Sequence, residues 1–357
     1  GYTTTLSRDK KTQIDRRLKQ IIDPQQLAEI SEVINTLSEY AEKQRYQKRV
    51  LILIDQIDEN WVDESVRFKL IRGLVEAVRV FRAIQNCRVY CAMRIDVYER
   101  VVQETSDIGF QRDKYEDYFA RIKWNESQLR DIVERRVSLL FRRQYTGQMV
   151  TFGDIFSHNV GTISPFQYMV RRTLLRPRDI ISFVNICLEL AVESRQVTGQ
   201  NIRDAEGVYS SKQRDALVAE WKAALPTLDA ALTLLSRRRH LIDAKELMIG
   251  RPWDDFIVSV CALQNASFDP IFQRAISAIN SSTQIESIDI LRVALSELYR
   301  TGAVGIKNPS SERYYWSHAD TPVMAPSLID AETKVQIHPM LHRALVVDAR
   351  EFQRSSG

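Results

Sequence analysis

The sequence predicts an α/β chain that opens on part of a parallel sheet, continues as helices, and closes on helices followed by a β-hairpin. Three observations carry this. Two apolar runs, "RVLILID" at 49–55 and "CRVYCAMR" at 87–94, have the length and β-branched content of buried strands, and an amphipathic helical stretch separates them. From about residue 125 onward the apolar spacing turns helical. Near the end, "TGAVGIKNPSSERYYWSH" reads as a helix stop, a strand, a turn and a second strand.

The elements follow in chain order. Residues 10–46 are polar, and Ile14, Leu18, Ile21, Leu27, Ile30, Val33, Ile34 and Leu37 recur near helical spacing, which gives one helix broken at Pro24 and then another. The first strand ends on Asp55 and is expected to be covered on both faces, as parallel strands are. Residues 64–84 repeat Val66, Leu70, Ile71, Leu74, Val75, Val78 and Phe81 at three and four, an amphipathic helix. The second strand follows, so helix, strand, helix, strand builds a parallel sheet with crossover helices. "WNESQLRDIVERRVSLLF" opens with Asn125 or Ser127 as a cap, and "LLRPRDIISFVNICLELAVES" starts a helix with Pro177 in its first turn. Residues 213–300 are helical, and Gly302 closes the last helix before strand 303–306, a turn at 308–311 and strand 313–317. Helices ending in one such hairpin have the outline of a winged helix. These readings divide the chain into 1–140, the second half of an α/β core; 141–208, a helical lid; and 209–357, a helical and winged-helix domain.

The 357 residues, 44% of them hydrophobic, suffice for two or three cores. No apolar stretch approaches the ~20 residues that cross a bilayer, and no signal peptide opens the chain, so a cytoplasmic protein with no membrane partner is expected. Cys87 and Cys91 fall in or beside one strand, roughly 13 Å apart along it, too far for a disulfide. With Cys187 and Cys261 they read as reduced thiols of a reducing compartment. The formal net charge of +4 resides in residues 1–207, and residues 208–357 balance, so a basic surface must be local.

A buried strand that ends in Asp suits a Walker B element, in which a rigidly held carboxylate binds the Mg²⁺ that bridges nucleotide phosphates. Asp55 takes that position, and Asp58 or Glu59 follows where an acid orients or deprotonates the attacking water. Arg94 ends the neighbouring strand, as a sensor of the γ-phosphate would. Arg176 and Arg178 flank Pro177 at a helix start, where guanidinium groups and the helix N-terminus suit phosphate oxygens. Together "LILIDQIDENW", "CAMRIDVYERV", "RDKYEDYFARIKWNESQLRDIVERRV", "LLRPRDIISFVN" and the closing "IHPMLHRAL" resemble bacterial P-loop ATPases related to the KAP and STAND classes. The resemblance spans roughly residues 45–195 plus 337–345. It implies ATP and Mg²⁺ as cofactors, a nucleotide-dependent switch, a homo-oligomer, an effector or regulatory protein partner, and a role in antiviral defence.

The chain departs from that pattern in two places. No GxxxxGK[ST] occurs in it, so the phosphate loop is expected upstream of Gly1, unless the protein has lost it. Gln56 follows the metal aspartate where many ATPases keep a catalytic Glu, so Asp58 or Glu59 activates water or the protein is a slow switch. The rival reading is a winged-helix DNA-binding regulator whose α/β half no longer uses nucleotide. In it, helix 290–300 meets nucleic acid, with Lys307 and Arg313 on the wing. That helix sets Arg292 and Arg300 against Asp289 and Glu297, which favours a packing role instead. His338 and His342 have zinc-compatible spacing without a third ligand and read as packing and capping residues. "RRRH" at 237–240 reads as a solvated face that is able to touch a phosphate backbone, and the tryptophans at 61, 124, 221, 253 and 316 as core or interface residues.

Overall fold

The computed structural model describes residues 32, 35–36, 50–57, 64–81, 87–95, 97–98, 101, 119–141, 150–192, 194–264, 266–280 and 287–349. Of the helices expected over 10–46 only residues 32, 35 and 36 are described, and they are helical, while Asp58, Glu59, Trp61 and Asp96 lie outside the described residues. The chain is mixed α/β, mostly helical, and divides into two compact units, Gly1–Ala120 and Arg121–Gly357.

In the first unit, β1 (Val50–Ile54) and β2 (Cys87–Cys91) pair in parallel, with Val50 opposite Cys87 and Ile54 opposite Cys91. The crossover contains α1 (Glu64–Phe81), whose Phe68 and Ile71 are buried with Ile57, Val97 and Val101. Ile54 and Cys91 pack against that cluster from the sheet. The opposite face differs from the expectation of a strand covered on both sides. Leu51, Leu53 and Tyr90 are 58%, 76% and 58% exposed, so burial along β1 alternates. Continuous apolar sequence therefore records residue type here, while the pleat decides which side chains the core covers.

The second unit has one continuous core from Leu129 to Leu345. It begins with α2 (Glu126–Phe141), where the Asn125 side chain accepts from the Gln128 backbone N–H at 2.9 Å and Gln128 reaches back to the Asn125 N–H at 3.0 Å. This reciprocal box satisfies donors that a helix start leaves open. Leu129, Val133 and Val137 form its buried stripe. Short helices α3 (Phe152–Ile155) and α4 (Pro165–Val170) lead to α5 (Pro177–Glu189), which has Pro at its first position. Next, α6 (Gly199–Trp221) runs uninterrupted through the boundary expected at 208/209, and it contributes Ile202, Tyr209, Leu217 and Trp221 to the same core.

Helices α7 (Leu228–Leu234), α8 (Ala244–Leu247), α9 (Arg251–Cys261), α10 (Pro270–Asn280) and α11 (Ser287–Thr301) complete the helical set. Strands β3 (Leu241–Asp243), β4 (Val304–Lys307) and β5 (Lys334–Ile337) form an antiparallel sheet in the order β3-β5-β4. Gly302 ends α11 with φ +84, as its position in sequence predicts, and a Cβ there would meet Leu174 Cδ2 at 2.8 Å.

The hairpin is more modest than its sequence suggests. The return arm expected at 313–317 contributes one bridge, Ile306 to Tyr315, and the extended partner of β4 is β5, thirty residues on in the chain. The Trp316 ring packs close to Gly305, where a Cβ would be 2.5 Å from the indole.

Candidate functional site

Parallel pairing sets Asp55 and Arg94 beyond the carboxyl ends of adjacent strands, the edge at which open α/β sheets take ligands. The pairing extends one residue past the strands, since the Ala92 N–H donates to the Ile54 carbonyl at 2.8 Å. Asp55 is exposed, and one carboxylate oxygen, Oδ1, accepts from the Gln56 N–H at 2.8 Å. Gln56 stands at φ +62, a left-handed conformation that costs a non-glycine residue on the order of 1 kcal/mol. That turn halts the strand at Asp55 and leaves Oδ2 open. The Cys91 thiol is pushed up first by burial and then by the negative charge of Asp55, so the carboxylate acts across the strand pair. Arg94 is half-buried, and its carbonyl accepts from the Tyr98 N–H at 3.1 Å to start the next turn.

Arg176 and Arg178 belong to the second unit, at the start of α5. Glu220 of α6 holds them both: Arg176 Nη1 donates to it at 3.0 Å and Arg178 Nη2 at 2.6 Å. Asp179, the acid of the RPRD motif, is buried and accepts from the Leu174 N–H at 3.3 Å. Burial raises its pKa, against the lowering effect of Arg176. Leu175 adopts φ +53, and the Thr173 hydroxyl accepts from its N–H at 3.2 Å while donating to Val170 at 2.7 Å. The motif is thus a knitted turn that directs two guanidinium groups onto one carboxylate.

Sequence reading missed the polar centre of this unit. Glu206, its side chain 5% exposed, accepts from Arg172 Nε at 2.6 Å and from the Tyr168 hydroxyl at 2.6 Å. Burial alone would raise its pKa, and the Arg172 charge with these hydrogen bonds outweighs that and lowers it. One turn on, the Ser210 hydroxyl donates to Met340 at 2.6 Å and accepts from the Ala344 N–H at 3.0 Å, which fastens the "IHPMLHRAL" segment to α6. Arg172, Glu206 and Ser210 are ordinary helix-surface residues by sequence pattern, and only their partners mark them out.

His338 caps the closing 3₁₀ turn by accepting from the Met340 N–H at 3.1 Å, and His342 Nε2 donates to the Ile337 carbonyl at 3.0 Å, the packing and capping roles expected of them. Among the described residues no group of three His, Cys, Asp or Glu is disposed to hold a metal ion. No helix among them is long and apolar enough to cross a membrane.

The segment between β4 and β5 folds back over α11. Arg292 Nε donates to Ile329 O at 2.8 Å, the Ser296 hydroxyl to Met324 O at 2.6 Å, and the Tyr299 hydroxyl to Thr321 O at 2.7 Å. From Ile288 to Thr301 no residue of α11 is fully exposed. The segment at 321–329 thus accepts hydrogen bonds from three side chains of α11.

The fold therefore comprises a small parallel-sheet unit with an acid at its carboxyl edge and a larger helical unit with a three-stranded sheet. Residues 127–218, from α2 through most of α6, match the FunZ-associated C-terminal helical domain. The chain is also similar to the putative transposon gamma-delta 80.3 kDa protein of Escherichia coli (strain K12), 24% identical over 313 residues, which cover 87% of this chain and 42% of that protein. The chain thus spans less than half the length of that relative. No solved structure matches.

Proposed function

We propose that the chain is the Walker B-bearing part of a P-loop ATPase that works as a nucleotide-dependent switch. The observation that carries this reading is the parallel β1–β2 pair with Asp55 and Arg94 beyond adjacent strand ends. Asp55 suits a hard divalent cation because it is exposed, rigidly held by the Gln56 turn, and has one oxygen outside its internal hydrogen bond. When bound, Mg²⁺ supplies charge neutralisation on the phosphates of ATP. Asp55 holds the cation's side of the site, and Arg94 supplies positive charge toward the terminal phosphate. Gln56, with no acid at that position, cannot deprotonate water, so turnover is slow and falls to Asp58 or Glu59. Arg176 and Arg178, in the second unit, are held by Glu220, so a phosphate group reaching them would have to displace that carboxylate.

The three-stranded order β3-β5-β4, entered from α11, supports a winged-helix reading of the C-terminal part. The hydrogen bonds from α11 to residues 321–329 favour a packing and regulatory role over the alternative of a winged-helix DNA-binding regulator. The role in bacterial antiviral defence rests on the motif resemblance alone. Steady-state phosphate release by the protein expressed from its complete reading frame tests the reading. Slow Mg²⁺-dependent hydrolysis is expected in the wild type, with loss of at least tenfold in Arg94→Ala; equal rates in both would remove Arg94 from the site.

A further inference from the structure

The arginines of "RRRH" and of "HRAL" lie more than a hundred residues apart in sequence, and the fold brings their segments together. Arg237 N–H donates to Leu345 O at 2.8 Å, Asp348 N–H to Arg238 O at 2.9 Å, and His240 N–H to Asp348 O at 3.1 Å. Arg239 and Asp348 form a parallel bridge. Residues 237–240 are therefore fixed in place, and a ligand that meets them incurs little backbone ordering cost.

We propose that Arg237, Arg238, Arg239 and Arg343 form a sequence-independent binding edge for the phosphate backbone of duplex nucleic acid. Two of the four arginines on these segments have an acidic partner among the described residues, Arg239 with Glu246 of α8 and Arg343 with Glu206 of α6. Arg239 is 63% exposed and pairs with Glu246 at 3.0 Å, and Arg343 is 52% exposed, 3.6 Å from a Glu206 already taken by Arg172 and Tyr168. The Arg237 side chain is exposed and has no ion-pair partner among the described residues. Arg238 is half-buried, and its Nη2 has no hydrogen-bond partner among the described residues.

Backbone strain marks the same place. Arg237 at φ +58 and Val346 at φ +54 are both left-handed, and the fold retains an arginine where glycine would be cheaper. Exposed guanidinium groups carried on adjacent, fixed backbone segments suit the repeating charges of a phosphodiester chain better than a small anion, which needs enclosure. Such contact carries affinity without base readout. The surface is independent of the nucleotide reading, and neither depends on the other being right.

Fluorescence anisotropy of a labelled duplex with the full chain, titrated across 50–200 mM salt, tests this. Wild type is expected to bind with a steep fall of log affinity against log salt. Arg237→Gly removes one guanidinium and relieves the left-handed backbone, so it should lower the slope by about one while the unfolding temperature stays level or rises. Arg237→Lys should keep the slope. Absence of duplex binding at 50 mM salt, or a slope unchanged in both Arg237→Gly and Arg237→Glu, would overturn the proposal. So would vesicles containing phosphatidylserine that bind the protein and lose that binding in Arg237→Glu while duplex affinity is unaffected.

Discussion

Replacing Glu206 by Ala would leave Arg172, whose side chain is 4% exposed, as an uncompensated buried charge. It would also strip the Tyr168 hydroxyl of its acceptor. Removing one partner of a buried ion pair typically costs about 3–5 kcal/mol, because the remaining charge keeps its desolvation penalty. That is a large part of the roughly 5–15 kcal/mol by which a domain is stable. Glu206→Gln keeps one oxygen acceptor for Arg172 Nε, and its NH₂ can donate to the Tyr168 hydroxyl oxygen, so it should lose less than the Ala variant, roughly 1–2 kcal/mol. Urea unfolding followed by tryptophan fluorescence suits the assay, since Trp221 and Trp253 are buried in the same core. The carboxylate's pKa is lowered on folding, so its contribution is fully present above the unfolded value near 4.5 and disappears as pH falls through the folded value. A Glu206→Ala loss below about 1 kcal/mol would refute the view that this network holds α4, α6 and the C-terminal segment together.

Gly305→Ala sets a methyl group 2.5 Å from the Trp316 ring, and overpacking of this kind should cost about 1–3 kcal/mol in the same urea assay. His318 and His342, both pushed down to about 4 chiefly by burial, and His338, pushed well below the usual imidazole value by burial, are neutral in the folded state near neutral pH. The unfolded chain takes up protons first, so the stability these residues allow is complete above about pH 6.5 and declines between there and pH 4. His318→Phe, which also removes an Nδ1 without a hydrogen-bond partner, should flatten that decline; an unchanged pH profile would contradict it.

What the sequence discloses here is set by the range of each signal. The two apolar runs fix the parallel pair, and Gly302 fixes the end of α11, because length, β-branching and φ preference are local. The second arm of the hairpin reads as a strand because YYW has strand composition, yet in the fold it makes a single bridge, Tyr315 to Ile306. Strand β5 was missed because "KVQI" alternates over only four residues and is defined by neighbours drawn from β3 and β4. At the sites, Asp55 and Arg94 were legible as strand ends, whereas the Glu220 carboxylate between Arg176 and Arg178 comes from over forty residues away. Only the fold reveals such a partner.

The central claim, that Asp55 anchors a metal-bound nucleotide, is tested most directly by equilibrium binding of a fluorescent ATP analogue to the protein from its complete reading frame, with and without Mg²⁺. In the wild type Mg²⁺ should tighten binding at least tenfold, and in Asp55→Ala that gain should vanish while metal-free affinity stays the same. An equal gain in both proteins would contradict the account.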